Sequence, residues 1–225
     1  MPCLWVVFVG GTGTGKSTLF NAFCGKPLSD TGVERPKTIG PVTYVHCDCP
    51  VENGFPFESM QMDRFPSEDV NGKPSPGAPG HMTILEHKRA SLSHLVIVDT
   101  PDIDSVEAAN RQIAEDLYLI SDAVVFVTSQ EKYADEVPYQ FLVKVMGNEK
   151  PYFFLMNKMQ EPLTSEEVAG ALSRQGIVAD PDRVWLISYD GVQPSRRISE
   201  DPGFSSFRQC FEREFSEDVV EALHR

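Results

Sequence analysis

The residues Gly10-Gly11-Thr12-Gly13-Thr14-Gly15-Lys16-Ser17 satisfy the pattern G-x-x-x-x-G-K-[ST] at every required position. Glycines at this spacing let the backbone N–H groups of Gly11, Thr12, Gly13, Thr14 and Gly15 turn toward an anion. A helix starting directly behind them adds its positive end. Lys16 then reaches the β- and γ-phosphates of a nucleoside triphosphate, the Ser17 hydroxyl ligates Mg²⁺, and Thr18 lines the same helix start. Asp99, in Asp99-Thr100-Pro101-Asp102, closes an apolar run, and an acid there can hold Mg²⁺ through a water. Thr38, in Arg35-Pro36-Lys37-Thr38, offers the metal a second hydroxyl. Lys16 and Thr38 are accordingly the expected catalytic residues. Asn157-Lys158-Met159-Gln160 and Ser188 follow two further apolar runs at corresponding places.

Such groups need a scaffold that brings strand ends together. Leu4 to Val9 is a continuous apolar run that reads as a buried strand, and Ser17 to Phe23 reads as a helix start. Ser29 to Gly40 is polar and rich in turn residues, and Pro41 to Cys49 has strand character. Residues 50–80 carry many prolines and glycines, which predicts a mobile insertion or long surface loop. Strands are expected at Met82 to His87 and Leu95 to Val98. Val106, Ala109, Ile113, Leu117 and Ile120 then recur at the three- and four-residue steps of an amphipathic helix. Beyond it, strands at Ala123 to Val127, Tyr152 to Met156 and Val184 to Ile187 alternate with helices at Ala134 to Met146 and Thr164 to Gln175. Phe204, Phe207, Phe211, Phe215, Val219 and Leu223 form a stripe on a final helix, which predicts packing against a sheet. This alternation predicts an α/β three-layer fold, a mostly parallel sheet of about six strands with helices on both faces. Residues 1–225 read as a single domain, with no internal repeat.

The composition narrows the partners. A net charge of −13 argues against the backbone of a nucleic acid or an acidic membrane surface as the main partner. No apolar run approaches the roughly 20 residues of a membrane span, and no signal peptide precedes the first strand, so a cytoplasmic location is expected. The five cysteines then read as reduced thiols. In His46-Cys47-Asp48-Cys49 the two cysteines would share one strand face. No second ligand pair at zinc spacing follows, which favours a structural role.

The order of phosphate loop, loop threonine, strand-end Asp-Thr-Pro, strand-end Asn-Lys and strand-end serine resembles the P-loop GTPases of the translation-factor-related class. Within that class the chain looks most like bacterial dynamin-like and 50S-ribosome-binding-type GTPase domains. The stretches that carry the resemblance are GGTGTGKSTLFNAFCGK at 10–26, TGVERPKT at 31–38 and DTPDIDSV at 99–106. The resemblance implies a P-loop NTPase fold that binds GTP or GDP with Mg²⁺. It implies switch segments at Ser29–Gly40 and after Asp99, ordered by the γ-phosphate and released by hydrolysis. Asn157 would brace the base-binding loops, Lys158 would lie along the guanine face, and Ser188 would support the base edge. Nucleotide state would control assembly, as a homodimer or with a protein partner.

The chain departs from that pattern in places that bear on chemistry. Asp102 stands where a glycine is usual, and its carboxylate is expected to point away from a γ-phosphate. Ile103 stands where Ras-like enzymes place a water-positioning glutamine. Gly13 and Thr14 replace the serine or asparagine that helps relatives bind a monovalent cation. Slow intrinsic turnover is the consequence. Gln160 replaces the carboxylate that accepts from both guanine N–H groups, at a cost of about 1–3 kcal/mol in discrimination, with Glu161 as the alternative acceptor. Two other readings remain at this stage: a GTP-responsive module with negligible turnover, and an ATP-dependent P-loop kinase. The kinase predicts an arginine-rich lid, for which only Arg196-Arg197 offers itself.

Overall fold

The computed structural model describes residues 3–31, 39–53, 55–68, 77–132, 136–148, 150–188 and 198–219. Its strands are β1 (Leu4–Gly10), β2 (Val42–His46), β3 (Gln61–Pro66), β4 (His81–His87), β5 (Leu95–Asp99), β6 (Ala123–Ser129), β7 (Tyr152–Met159) and β8 (Val184–Ser188). They form one eight-stranded sheet in the order β3-β4-β2-β5-β1-β6-β7-β8. The helices are α1 (Lys16–Cys24), α2 (Ala108–Ile120), α3 (Glu136–Gly147), α4 (Ser165–Arg174) and α5 (Pro202–Glu214).

Strands β5, β1, β6, β7 and β8 are mutually parallel, whereas β2 runs antiparallel to β5 and is itself parallel to β4, as β4 is to β3. The sheet is therefore mixed and mostly parallel, with eight strands rather than six. Its buried strands read as unbroken apolar runs because each faces a helical layer on both sides.

Alternation along β1 divides the core in two. Val7 and Val9 join a cluster with Ala114, Leu117 and Tyr118 of α2, Leu142 and Val145 of α3, and Val168 and Leu172 of α4. Val6 and Phe8 face the other way, toward Leu19, Phe20 and Phe23 of α1 and Phe204, Phe207 and Phe211 of α5. Successive side chains of a strand point to opposite faces, so a single run supplies both layers. Helix α4 starts in a full capping box: Thr164 accepts from the Glu167 N–H, and the Glu167 side chain accepts from the Thr164 N–H.

The structure corrects several expectations. The 50–80 stretch includes β3, and Val51 and Met60 beside it are buried in the core while Phe55 stacks on Trp5. The aromatic stripe is buried through Phe211, but α5 ends at Glu214, Val219 is exposed, and Leu223 lies outside the described residues. β2 stops at His46, so Cys47 and Cys49 sit in the following turn and do not share a strand face. Cys3 and Cys49 are paired as a disulfide, where reduced thiols were expected. The antiparallel run of β2 is the reason, since it carries the turn after β2 back beside the start of β1.

Candidate functional site

The carboxyl ends of β1, β5, β6, β7 and β8 lie along one edge of the sheet, where open α/β sheets gather ligands. β1 delivers the Gly10–Gly15 turn there, and α1 begins at Lys16. Two glycines make the turn possible. A Cβ on Gly10 would stand 2.2 Å from the Val127 carbonyl oxygen. Gly15 has φ +90°, and a Cβ there would meet Asn157 Nδ2 at 2.3 Å. Within the turn, the Thr14 hydroxyl donates to the Gly11 carbonyl at 2.9 Å, which closes the loop on itself.

Lys16 is almost fully buried, at 3% exposure. Its Nζ donates to Asp99 Oδ1 at 2.9 Å and to the Thr100 carbonyl at 2.5 Å, and Asp102 Oδ1 lies 3.7 Å away. Burial lowers the affinity of this amine for its proton, but the facing Asp99 and Asp102 carboxylates outweigh burial and leave its pKa raised. Asp102 was expected to point away from the phosphate end. It turns instead toward the Lys16 ammonium, which attracts it.

The second oxygen of Asp99 accepts from the Ser29 hydroxyl at 2.6 Å. Ser29 is fixed in turn by Asn21 of α1, whose Oδ1 accepts from the Leu28 and Ser29 N–H groups and whose Nδ2 donates to the Ser29 carbonyl. Ser17 and Thr18 follow Lys16 in the first turn of α1. Hydroxyl and carboxylate oxygens are the hard donors that suit Mg²⁺, and the Lys16–Asp99 ion pair joins the first turn of α1 to the end of β5. Thr38 lies outside the described residues.

Asn157 and Lys158, the residues expected beside the base, lie on β7. Asn157 is fully buried; its Nδ2 donates to the Thr14 carbonyl at 2.9 Å, and its Oδ1 has no partner among the described residues. Lys158 Nζ donates to the Gly13 carbonyl at 2.7 Å. The pairing of β7 with β8 slips between Met156 and Met159, and Lys158 takes φ 58°, so the strand is irregular where it meets the loop. Met159 pairs with Ser188, which brings Ser188 to the same edge. There the Ser188 N–H donates to Asp201 Oδ2 at 3.1 Å.

Three residues that sequence reasoning missed belong to this edge. Gln130 follows β6 directly, and its Oε1 accepts from the N–H groups of Gln160 and Glu161. The strand-end rule that selected Asp99 would have found it. Asp104 accepts from the Thr12 N–H at 2.7 Å and from the Thr12 hydroxyl at 2.6 Å. Ser29 carries no local signal.

The sequence profile of the 50S ribosome-binding GTPases matches residues 5–158, a span that runs from β1 through Lys158. The chain belongs to that family. Membership places the site in a GTPase domain, and the α/β P-loop GTPase fold accords with the sheet described above. An uncharacterized protein in the xynA 3′ region of Caldicellulosiruptor sp. (strain Rt8B.4) is 32% identical over 161 residues, 68% of this chain. The chain spans 40% of that protein's length.

Among solved structures, a bacterial dynamin from an oligomerised pair that senses and tethers membranes superposes with a TM-score of 0.62 at 16% identity. That match covers 99% of this chain and 47% of the dynamin. Era in complex with MgGDPNP and a 16S ribosomal RNA segment superposes with a TM-score of 0.57 at 13% identity, over 95% of this chain and 57% of Era. At such identities the likeness is one of fold. Membership of the family supports GTP binding. Among the described residues no helix is long and apolar enough to cross a membrane.

Proposed function

We propose that residues 1–225 form one GTP-binding domain that hydrolyses GTP slowly to GDP and phosphate with Mg²⁺, and whose nucleotide state controls assembly or partner binding. The observation that carries the reading is the attachment of the Asn157-Lys158 pair to the phosphate loop through the Thr14 and Gly13 carbonyls. A P-loop kinase has no need to tie a base-reading strand end to its phosphate turn. Arg196 and Arg197, the only lid candidates, lie outside the described residues.

In this reading the turn amides and Lys16 bind the phosphates, and Ser17, Thr38 and Asp99 hold Mg²⁺, which neutralises charge between the β- and γ-phosphates. Asn157, Lys158, Gln160 and Ser188 serve the base. Lys16 must leave its carboxylate partners for the nucleotide, so binding rearranges the segment after Asp99, one of the two switches. Slow turnover follows from Ile103. Its side chain is packed in the core at 4% exposure and has no polar atom to orient an attacking water.

The same burial favours a second reading, a GTP-responsive module that does not hydrolyse. Phosphate release over hours with saturating Mg²⁺–GTP separates the two. Fluorescent GDP displaced by GTP and GDP, but not by ATP, is the result expected for both. Equal displacement by ATP overturns the guanine assignment and brings the kinase reading forward.

A further inference from the structure

Asp104 is an anion already seated on the phosphate loop. One oxygen accepts from both the backbone N–H and the hydroxyl of Thr12, and both bonds have the short lengths of charge-assisted contacts. The other oxygen lies close against Gly11, where a Cβ would stand 3.0 Å from it in a tight contact. The Ile103 N–H donates to the Gly10 carbonyl at 3.3 Å and fixes the adjoining backbone on the loop. Two positions earlier, Asp102 faces Lys16 at 3.7 Å. The segment that follows Asp99 therefore places two carboxylates on groups that the reading above assigns to the nucleotide phosphates.

Which phosphate they oppose follows from direction. Gly13 to Ser17 run into the helix start, where the inner phosphates are cradled. Thr12 lies at the other end of the turn, beside the segment that leaves Asp99. A diphosphate can occupy the helix end while Asp104 keeps Thr12. A triphosphate brings further negative charge toward that carboxylate, which must then either repel it or give up its hydrogen bonds.

We propose that Asp104, assisted by Asp102, is a built-in competitor of the terminal phosphate and sets a preference for guanosine diphosphate over triphosphate. This rests on the guanine-nucleotide reading above. GTP binding then requires that the 102–104 segment swing off the loop, which couples the third phosphate to the movement of that segment.

The test measures dissociation constants for fluorescent GDP and for a GTP analogue with a non-hydrolysable β–γ bridge, in the parent chain, Asp104→Ala and Asp104→Asn. Asp104→Ala is expected to tighten the triphosphate analogue about tenfold and to move GDP by less than about twofold. Asp104→Asn keeps an acceptor without the charge and should fall between. Amide exchange at Thr12 in the nucleotide-free chain should accelerate in Asp104→Ala, a readout that does not depend on nucleotide binding. A triphosphate-to-diphosphate ratio that neither variant moves, in a chain that binds both nucleotides, overturns this inference alone. A parent chain that binds neither nucleotide overturns the guanine reading and this inference with it.

Discussion

In the proposed reading Gln160 offers guanine one acceptor oxygen and an NH₂ donor, where a carboxylate would present two acceptors to the paired N–H groups. Gln160→Asp is therefore expected to improve the preference for GTP over ATP by about 1–3 kcal/mol, read as the ratio of competition constants. An unchanged ratio would mean that position 160 does not meet the base. At this scale the sequence was informative wherever chemistry is written locally. The phosphate loop, Asp99 and Asn157-Lys158 are each identified within a few residues, and all meet at one sheet edge. What escaped were residues whose role comes from a distant contact. Asp104 lies 92 residues from its partner Thr12, Ser29 lies 70 from Asp99, and Gln130 lies 30 from Gln160. No window along the chain contains both members of such a pair.

Among the elements, β3 was hidden because Gln61–Pro66 is an edge strand whose apolar residues, Met62 and Phe65, do not recur at a step of two. Its order comes from Arg64, which binds Glu52, Glu86 and the Cys49 carbonyl together. The neighbouring strand β4 ends in His87, packed against Tyr44 and His46 with ring centroids 4.2 and 5.7 Å away. Burial, reinforced by the charges of His46, Arg89 and Lys26, lowers its pKa to about 4. The unfolded chain therefore takes up a proton between about pH 6.5 and 4 that the folded chain refuses, so stability falls as pH drops through that window. Between about pH 7.5 and pH 5 the loss should approach about 2 kcal/mol, less whatever solvent screening removes. Urea denaturation at both pH values measures it, and His87→Gln should remove this component. A parent chain equally stable at both would show that His87 is not held neutral.

For the molecule as a whole, α1 and α5 are joined through aromatic rings. Phe207 touches Phe23, Phe153 and Trp185 with centroids 5.9, 5.5 and 5.7 Å apart, and so ties both helices to β7 and β8. Phe207→Ala should cost about 3–5 kcal/mol in urea unfolding, because a rigid aromatic cluster cannot collapse into the space left. A loss below about 1 kcal/mol would mean that the helix packs independently of the sheet. The α/β class and the helical layers were legible from alternation and from this stripe. The reversed direction of β2 was not, since an apolar run reads the same in either direction.

Gln130 holds the loop after β7 by its amides, not by its side chains. Any residue other than proline at position 160 keeps an amide for the Gln130 bond. In the proposed reading, base preference is then a quantity that single substitutions at position 160 can retune while Gln130 keeps its hold on the loop.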